Sequence, residues 1–253
     1  MMPSLSELSR TAMVYGAGRG SRLYPLTDTV PKPLQEVGPK QAIGRKKMID
    51  YALDKLAEIG IERVVVNTHW LAEQMDRHLR GRTDVRIVIS HEDTLLETGG
   101  GTVKALSYFE DKPFFALNAD LPLIDGPVPS LLRMKQEWDA AKMDALLLMM
   151  PTEKARGFDG ARGDYAMEAD GRLWRENLQP PRPYVYVGAQ ILNPKLFANP
   201  PGEKFSNNHV WNLAEADKRL YGIIHEGTCY HISTVADLNH ANDLMDTGKG
   251  WGV

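Results

Sequence analysis

The chain of 253 residues is long enough to bury a sizeable core, as one large α/β domain or as a core with an appendage. Its make-up, 43% hydrophobic and 25% charged with a net charge of −3, is that of an ordinary globular protein and gives no electrostatic case for nucleic acid or an anionic membrane as a partner. The single cysteine, Cys229, excludes an internal disulfide and fits a reducing, cytoplasmic setting.

Met1 to Arg10 is polar with scattered leucines and lacks the apolar stretch of a secretory signal. Thr11 to Tyr15 is a short apolar run that reads as a buried strand. It feeds Gly16-Ala17-Gly18-Arg19-Gly20-Ser21-Arg22-Leu23-Tyr24-Pro25-Leu26-Thr27, followed by Pro31-Lys32-Pro33. Glycines here let a ligand approach bare backbone, and successive N–H groups in such a loop form an anion-binding concavity. Arg22 and Lys32 add two cations suited to phosphate oxygens. Strand, glycine loop and cations together point to a nucleoside triphosphate site. Two other glycine-loop chemistries fit less well. A P-loop needs Gly-Lys-Ser/Thr where Gly20-Ser21-Arg22 stands. A dinucleotide turn is approached by Gly16-x-Gly18-x-x-Ser21, with Glu36 at a tolerable distance for a ribose acid. Pro25, Pro31 and Pro33, however, interrupt the helix that turn requires. The loop is therefore expected to run on as a long extended segment.

Met48 to Ile59 has helical apolar spacing and stops at Gly60. Arg63 to Asn67 is a β-branched strand, Ala72 to Arg80 a helix and Val85 to Ser90 a third strand. This alternation predicts a doubly wound, mostly parallel α/β sheet, whose ligands gather beyond the carboxyl ends of the strands. Asn67 stands at such an end and offers donor and acceptor to a base edge; His69 beside it reads as a loop hydrogen-bonder. In Leu95-Leu96-Glu97-Thr98-Gly99-Gly100-Gly101-Thr102, the glycines precede an apolar helix start and expose backbone to a flat ligand. Pro113 to Leu117 is the fourth strand and leads into Asn118-Ala119-Asp120. An Asp just past a buried strand on the ligand side is well placed to hold Mg²⁺, which takes one or two carboxylates plus phosphate oxygens.

Gly126 to Ala140 reads as a helix, Asp144 to Met150 as a strand, and Asp164 to Glu176 as a hairpin turning at Asp170-Gly171. Tyr184 to Leu192 is a strand, and Asn208 to Leu220 and Val235 to Asp246 are helices. Ala145 to Met150, the longest apolar run, is too short to cross a bilayer.

The Gly-x-Gly-x-Ser-Arg-Leu-x-Pro-Leu-Thr segment followed by Pro-Lys-Pro resembles the signature of sugar-1-phosphate nucleotidyltransferases, nearest to bacterial N-acetylmuramate-1-phosphate uridylyltransferases and mannose-1-phosphate guanylyltransferase-like proteins. The resemblance spans most of the chain. It implies a Rossmann-like nucleotidyltransferase fold in a single domain, 1–253, with a nucleotide-binding core over 1–150 and a smaller sugar-facing lobe with the C-terminal helix over 151–253. It puts Gly16, Ala17, Gly18, Gly20, Ser21 and Arg22 on the nucleotide and Glu97, Gly100 and Gly101 on its base. Asn118 and Asp120 match the family's Asn/Gly-x-Asp, and Gly188 matches a strand glycine that admits the sugar, with a strand bulge as the bland alternative. Glu168 and Glu176 are either carboxylates for sugar hydroxyls or, as is usual on a hairpin, simply solvated. Either Lys40 or Lys46 corresponds to a family lysine, or both belong to a solvated basic loop.

One departure matters. Where the family carries Asp-Val-Gly-Thr, with the Asp on the metal, this chain has His231-Ile232-Ser233-Thr234. Imidazole is less suited to Mg²⁺ than carboxylate. Either His231 completes a metal site with Asp120, or one carboxylate suffices, or activity has been lost; Asp237 lies too far along the helix to substitute.

The implied reaction is attack of a sugar-1-phosphate oxygen on the α-phosphorus of a nucleoside triphosphate, releasing pyrophosphate, with Arg22, Lys32 and Asp120 as the catalytic residues. The resemblance favours UTP and N-acetylmuramate-1-phosphate, in cell-wall sugar recycling; a uridylyl- or guanylyltransferase acting on a mannose or glucose phosphate is the alternative. From other classes, a nucleotide-sugar-binding regulator is favoured by His231 and opposed by Arg22, Lys32 and Asp120. A nicotinamide-dependent oxidoreductase is opposed by the prolines.

Overall fold

The computed structural model of the chain describes residues 8–40, 44–155, 157–158, 162–175 and 177–247. Seven strands form its central sheet: β1 (Thr11–Tyr15), β2 (Arg63–Thr68), β3 (Arg86–His91), β4 (Phe114–Asn118), β5 (Ala145–Pro151), β6 (Tyr184–Leu192) and β7 (Leu220–Ile224). Their spatial order is β7-β5-β6-β4-β1-β2-β3. All neighbours pair in parallel except β6, which runs antiparallel between β4 and β5. The sheet is thus α/β and mostly parallel, and β6 and β7, from the second half of the chain, lie in the same sheet as the first half.

Burial on both faces explains the continuous apolar runs. Val64, Val65 and Val66 of β2 are all at 0% exposure, with Val64 and Val66 in one core cluster and Val65 in the other. The helices are α1 (Met48–Glu58), α2 (Ala72–Leu79), α3 (Glu97–Ala105), α4 (Ser130–Glu137), α5 (Asn208–Ala216) and α6 (Val235–Asp246). α1 lays Ile49, Leu53 and Leu56 on the first cluster, and α5 lays Val210 and Ala214 on the second. α6 opens on a capping box: Thr234 Oγ1 accepts from the Asp237 N–H, and Asp237 Oδ2 accepts from the Thr234 N–H at 2.7 Å.

Several expectations are corrected. The segment after the glycine loop is not extended: its prolines separate three single turns, Ser21–Leu23, Leu26–Thr29 and Lys32–Leu34. α4 spans Ser130–Glu137 rather than Gly126 to Ala140: Pro129, extended at ψ 126°, stands before its first residue, and Asp125 Oδ1 accepts the Ser130 N–H at 2.9 Å. The helix beginning at Asn208 stops at Ala216, with Lys218 in the left-handed region at φ 57°. Leu220, expected to end that helix, begins edge strand β7 instead. The Gly99–Gly101 run lies inside α3 rather than before it. A methyl group at Gly99 would meet Phe205, and one at Gly100 would meet the Glu203 carbonyl. These glycines let α3 press against the 203–205 segment.

Candidate active site

At the carboxyl ends of β1, β2 and β4 opens a cleft of about 450 Å³. Its floor is the glycine loop. Gly16 is held by Asn67, whose Oδ1 accepts the Gly16 N–H at 2.8 Å while its Nδ2 donates to Glu92 Oε1 at 2.8 Å. Asn67 lines the cleft, but it is 2% exposed and both ends of its amide already have partners. Its visible work is therefore to fix the loop rather than to present a free edge to a base. Gly20 sits at φ 64°, and a Cβ there would stand 2.8 Å from the Lys32 Cβ, so the loop and the Pro-Lys-Pro turn press together through a bare α-carbon. Gly18 is the opposite case: it is exposed, with nothing within 4 Å of where a Cβ would point.

Two cations reach the cleft. Arg22 is exposed on the first turn and has no side-chain partner among the described residues. Lys32 is 6% exposed, and its Nζ lies 2.7 Å from Asp120 Oδ2. Asp120 follows β4, and its carboxylate is about one third exposed on the cleft. Asn118, also on the wall, lies against Gly188 of β6. Gly188 itself does not line the cleft. It adopts φ 79° in a bulge that shifts the register between Tyr186 and Gln190, and a Cβ there would stand 2.7 Å from Leu121 Cδ1. The bulge reading is thus the one the backbone supports, and Gly188 seats the 118–121 loop.

The far wall comes from Leu95, Glu97, Thr98 and Ser206. Glu97 is held at φ 63°, a strained conformation for a non-glycine residue beside a site. Gly100 and Gly101, expected against the base, are buried away from the cleft. The Gly100 N–H goes to the Phe205 carbonyl, and Gly101 faces Asn67 and Glu92. Tyr15 closes the end of the cleft. Its hydroxyl meets Thr102 Oγ1 at 2.7 Å and accepts from Asn207 Nδ2 at 2.9 Å, and burial pushes its phenol up to about 12. It is a neutral strut.

His231 does not join Asp120 in a ligand cluster. Its Nδ1 faces the Gly157 carbonyl at 3.1 Å, its Nε2 faces Ser233 Oγ at 3.3 Å, and its ring stacks on Phe158. Burial, aided by nearby Lys32, lowers its pKa, so the imidazole is neutral at pH 7. Asp237 is no substitute carboxylate, because its Oδ2 already accepts two backbone N–H groups, those of Ser233 and Thr234. Among the described residues, no group of three His, Cys, Asp or Glu side chains forms a metal cage. His69 bonds the Glu92 carbonyl, as a loop residue would. Lys40 and Lys46 lie away from the cleft, the first with its N–H on Asp246 and the second paired with Asp54. Cys229 is fully buried and its thiol is pushed up by burial. Glu176 lies outside the described residues. Sequence reasoning did not pick out Thr98, Ser206 and Ser233 as cleft residues; lone hydroxyls carry no spacing signal.

The pattern of nucleotidyl transferases matches residues 11–169, more than half of the chain. The chain belongs to the nucleotidyl transferase family. Across its length, this nucleotidyltransferase is 36% identical over 233 residues to the N-acetylmuramate alpha-1-phosphate uridylyltransferase of Caulobacter vibrioides, an alignment covering 90% of this chain and 93% of that one. It is 32% identical over 131 residues to the mannose-1-phosphate guanylyltransferase catalytic subunit beta of Danio rerio, covering 50% of this chain and 34% of that one. The fold matches UDP-glucose pyrophosphorylase complexed with UDP-glucose at a TM-score of 0.72 and 17% identity, over 94% of this chain and 98% of that one. No helix among the described residues is long and apolar enough to cross a membrane.

Proposed function

We propose that the enzyme is a cytoplasmic uridylyltransferase that joins UTP to N-acetylmuramate-1-phosphate, serving cell-wall sugar recycling. The observation that carries the phosphate chemistry is convergence: bare glycine-loop amides, Arg22 and the Lys32–Asp120 pair all face one cleft. The sugar and base rest on the 36% identity to a uridylyltransferase of that name along almost the whole chain.

The nucleophile, a sugar phosphate oxygen, is already an anion. Catalysis therefore needs alignment and charge neutralisation rather than a strong base. Amides of Gly18, Gly20 and Ser21 would receive the phosphates, with Arg22 on the departing pyrophosphate and Lys32 on the α-phosphate. Asn118 would meet the sugar, together with the smaller lobe that begins near residue 151.

Asp120 fits a magnesium site: it is a hard oxygen donor, partly exposed on the cleft, with room for phosphate oxygens to complete the shell. Bound there, Mg²⁺ would supply charge neutralisation at the phosphates. Of the three possibilities for His231, sufficiency of one carboxylate agrees best with an imidazole whose two nitrogens both have partners.

Pyrophosphate release from a panel of UTP, GTP and dTTP against N-acetylmuramate-, mannose- and glucose-1-phosphate, with Mg²⁺ and Mn²⁺, tests the assignment. Turnover highest with UTP and N-acetylmuramate-1-phosphate is expected; faster turnover with GTP or a hexose phosphate would replace it.

A further inference from the structure

Beside the main cleft lies a smaller recess of about 210 Å³ that shares Arg22 with it. Its walls are Arg22, Phe158, Arg162, Asp164, Val185 and His231. Among the described residues the charges around it do not balance. The Asp164 carboxylate is engaged, its Oδ2 accepting the Tyr186 N–H at 2.8 Å. His231 adds no negative charge at a position where the family's pattern has an aspartate. Arg22 and Arg162 have no side-chain partner among the described residues. Two guanidinium groups thus share one recess with one carboxylate that already holds a backbone donor. Arg22 faces the triphosphate as well, which leaves Arg162 as the cation without a task.

We infer that Arg162 is a specificity-determining residue that pairs with a carboxylate carried by the acceptor sugar. This rests on the uridylyltransferase reading above. The recess residues other than Arg22 all come from the lobe beyond residue 151 that is proposed to face the sugar, so the acceptor's sugar lies on that side of the cleft. N-acetylmuramate is N-acetylglucosamine bearing a lactyl ether, so it brings a carboxylate that its parent lacks. A guanidinium offers that group a bidentate pair. An aspartate in place of His231 would set a like charge beside it, and the neutral imidazole removes that repulsion.

The test compares kcat/KM for N-acetylmuramate-1-phosphate and N-acetylglucosamine-1-phosphate, with UTP, in the wild type and in Arg162→Gln and Arg162→Lys. The expected result is a loss of about tenfold or more on the carboxylated acceptor in Arg162→Gln, carried by KM, with a change under about twofold on the other acceptor and partial recovery in Arg162→Lys. Equal losses on both acceptors would put Arg162 on the shared phosphate and overturn the inference. So would a preference retained in Arg162→Gln, which leaves the uridylyltransferase reading standing. A wild type that favours N-acetylglucosamine-1-phosphate overturns both. Melting temperatures of the variants within a degree or two of wild type tie any loss to the acceptor rather than to folding.

Discussion

The Lys32 ammonium, 6% exposed, sits 2.7 Å from the Asp120 carboxylate, so the cation proposed for a phosphate and the carboxylate proposed for a metal neutralise each other. Entry of a divalent cation at Asp120 must displace or share that ammonium. Entry of a triphosphate offers the ammonium a different anion and releases the carboxylate. Metal and nucleotide binding are therefore expected to be positively coupled, and equally in both directions.

This coupling has a direct check in Mn²⁺ binding followed by electron paramagnetic resonance. In the wild type, nucleotide should tighten Mn²⁺ binding by about fivefold or more, in line with ordinary coupling energies. Lys32→Gln should tighten Mn²⁺ binding to the nucleotide-free protein while weakening nucleotide. Unchanged Mn²⁺ affinity in Lys32→Gln would mean that the pair does not gate the metal.

Arg22 and Asp120 are exposed or partly exposed and hold no core packing. Arg22→Ala and Asp120→Asn should each lower turnover by about 10²-fold or more, the scale of losing one preorganised electrostatic contact, with the melting temperature nearly unchanged in Arg22→Ala and lowered in Asp120→Asn, which leaves the buried Lys32 ammonium without its carboxylate. Wild-type-like pyrophosphate release in either variant would remove these residues from the mechanism.

Two glycines of one loop should respond in opposite ways. At Gly18 a methyl group meets open space, so Gly18→Ala should fold normally and weaken triphosphate binding. At Gly20 the backbone is left-handed and the new Cβ would crowd Lys32, so Gly20→Ala should cost about 1–3 kcal/mol of stability. Paired thermal melts and calorimetric nucleotide titrations separate the two effects.

His225 is 3% exposed; its Nδ1 accepts from the Ser130 hydroxyl at 2.7 Å and its Nε2 faces the Thr228 carbonyl at 3.3 Å. Burial lowers its pKa below the usual histidine value. The unfolded chain then binds a proton more readily than the folded one, so the neutral ring's contribution is complete above the unfolded value, near 6.5, and declines as pH falls below it. Melts between pH 7.5 and 5.5 should fall more steeply for wild type than for His225→Gln. Parallel curves would assign the acid sensitivity elsewhere.

Much of the nucleotide half was legible from local pattern. β2 was visible in Arg63 to Asn67 because a strand buried on both faces must be apolar without alternation. α6 was visible to the residue because Thr234 and Asp237 build its cap within four residues of chain. Arg22, Lys32 and Asp120 were picked out because charged residues beside glycine turns and strand ends have few structural reasons to be there.

What the chain order could not reveal depended on partners far away in it. Leu220 looked like the end of a helix until β5 supplied a ladder for it at the sheet edge. Gly100 and Gly101 looked like a bare ligand platform, yet the 203–205 segment and Asn67 fill the space above them. Asn67 looked like a base reader, but Gly16 and Glu92 take both ends of its amide. Local propensity, turn chemistry and apolar period are written in neighbouring residues, so the sequence by itself determined the fold class and the glycine loop at the end of β1. Which polar groups remain free for a ligand is decided by long-range packing, and only the tertiary structure could pair Lys32 with Asp120 and leave Arg162 without a partner among the described residues.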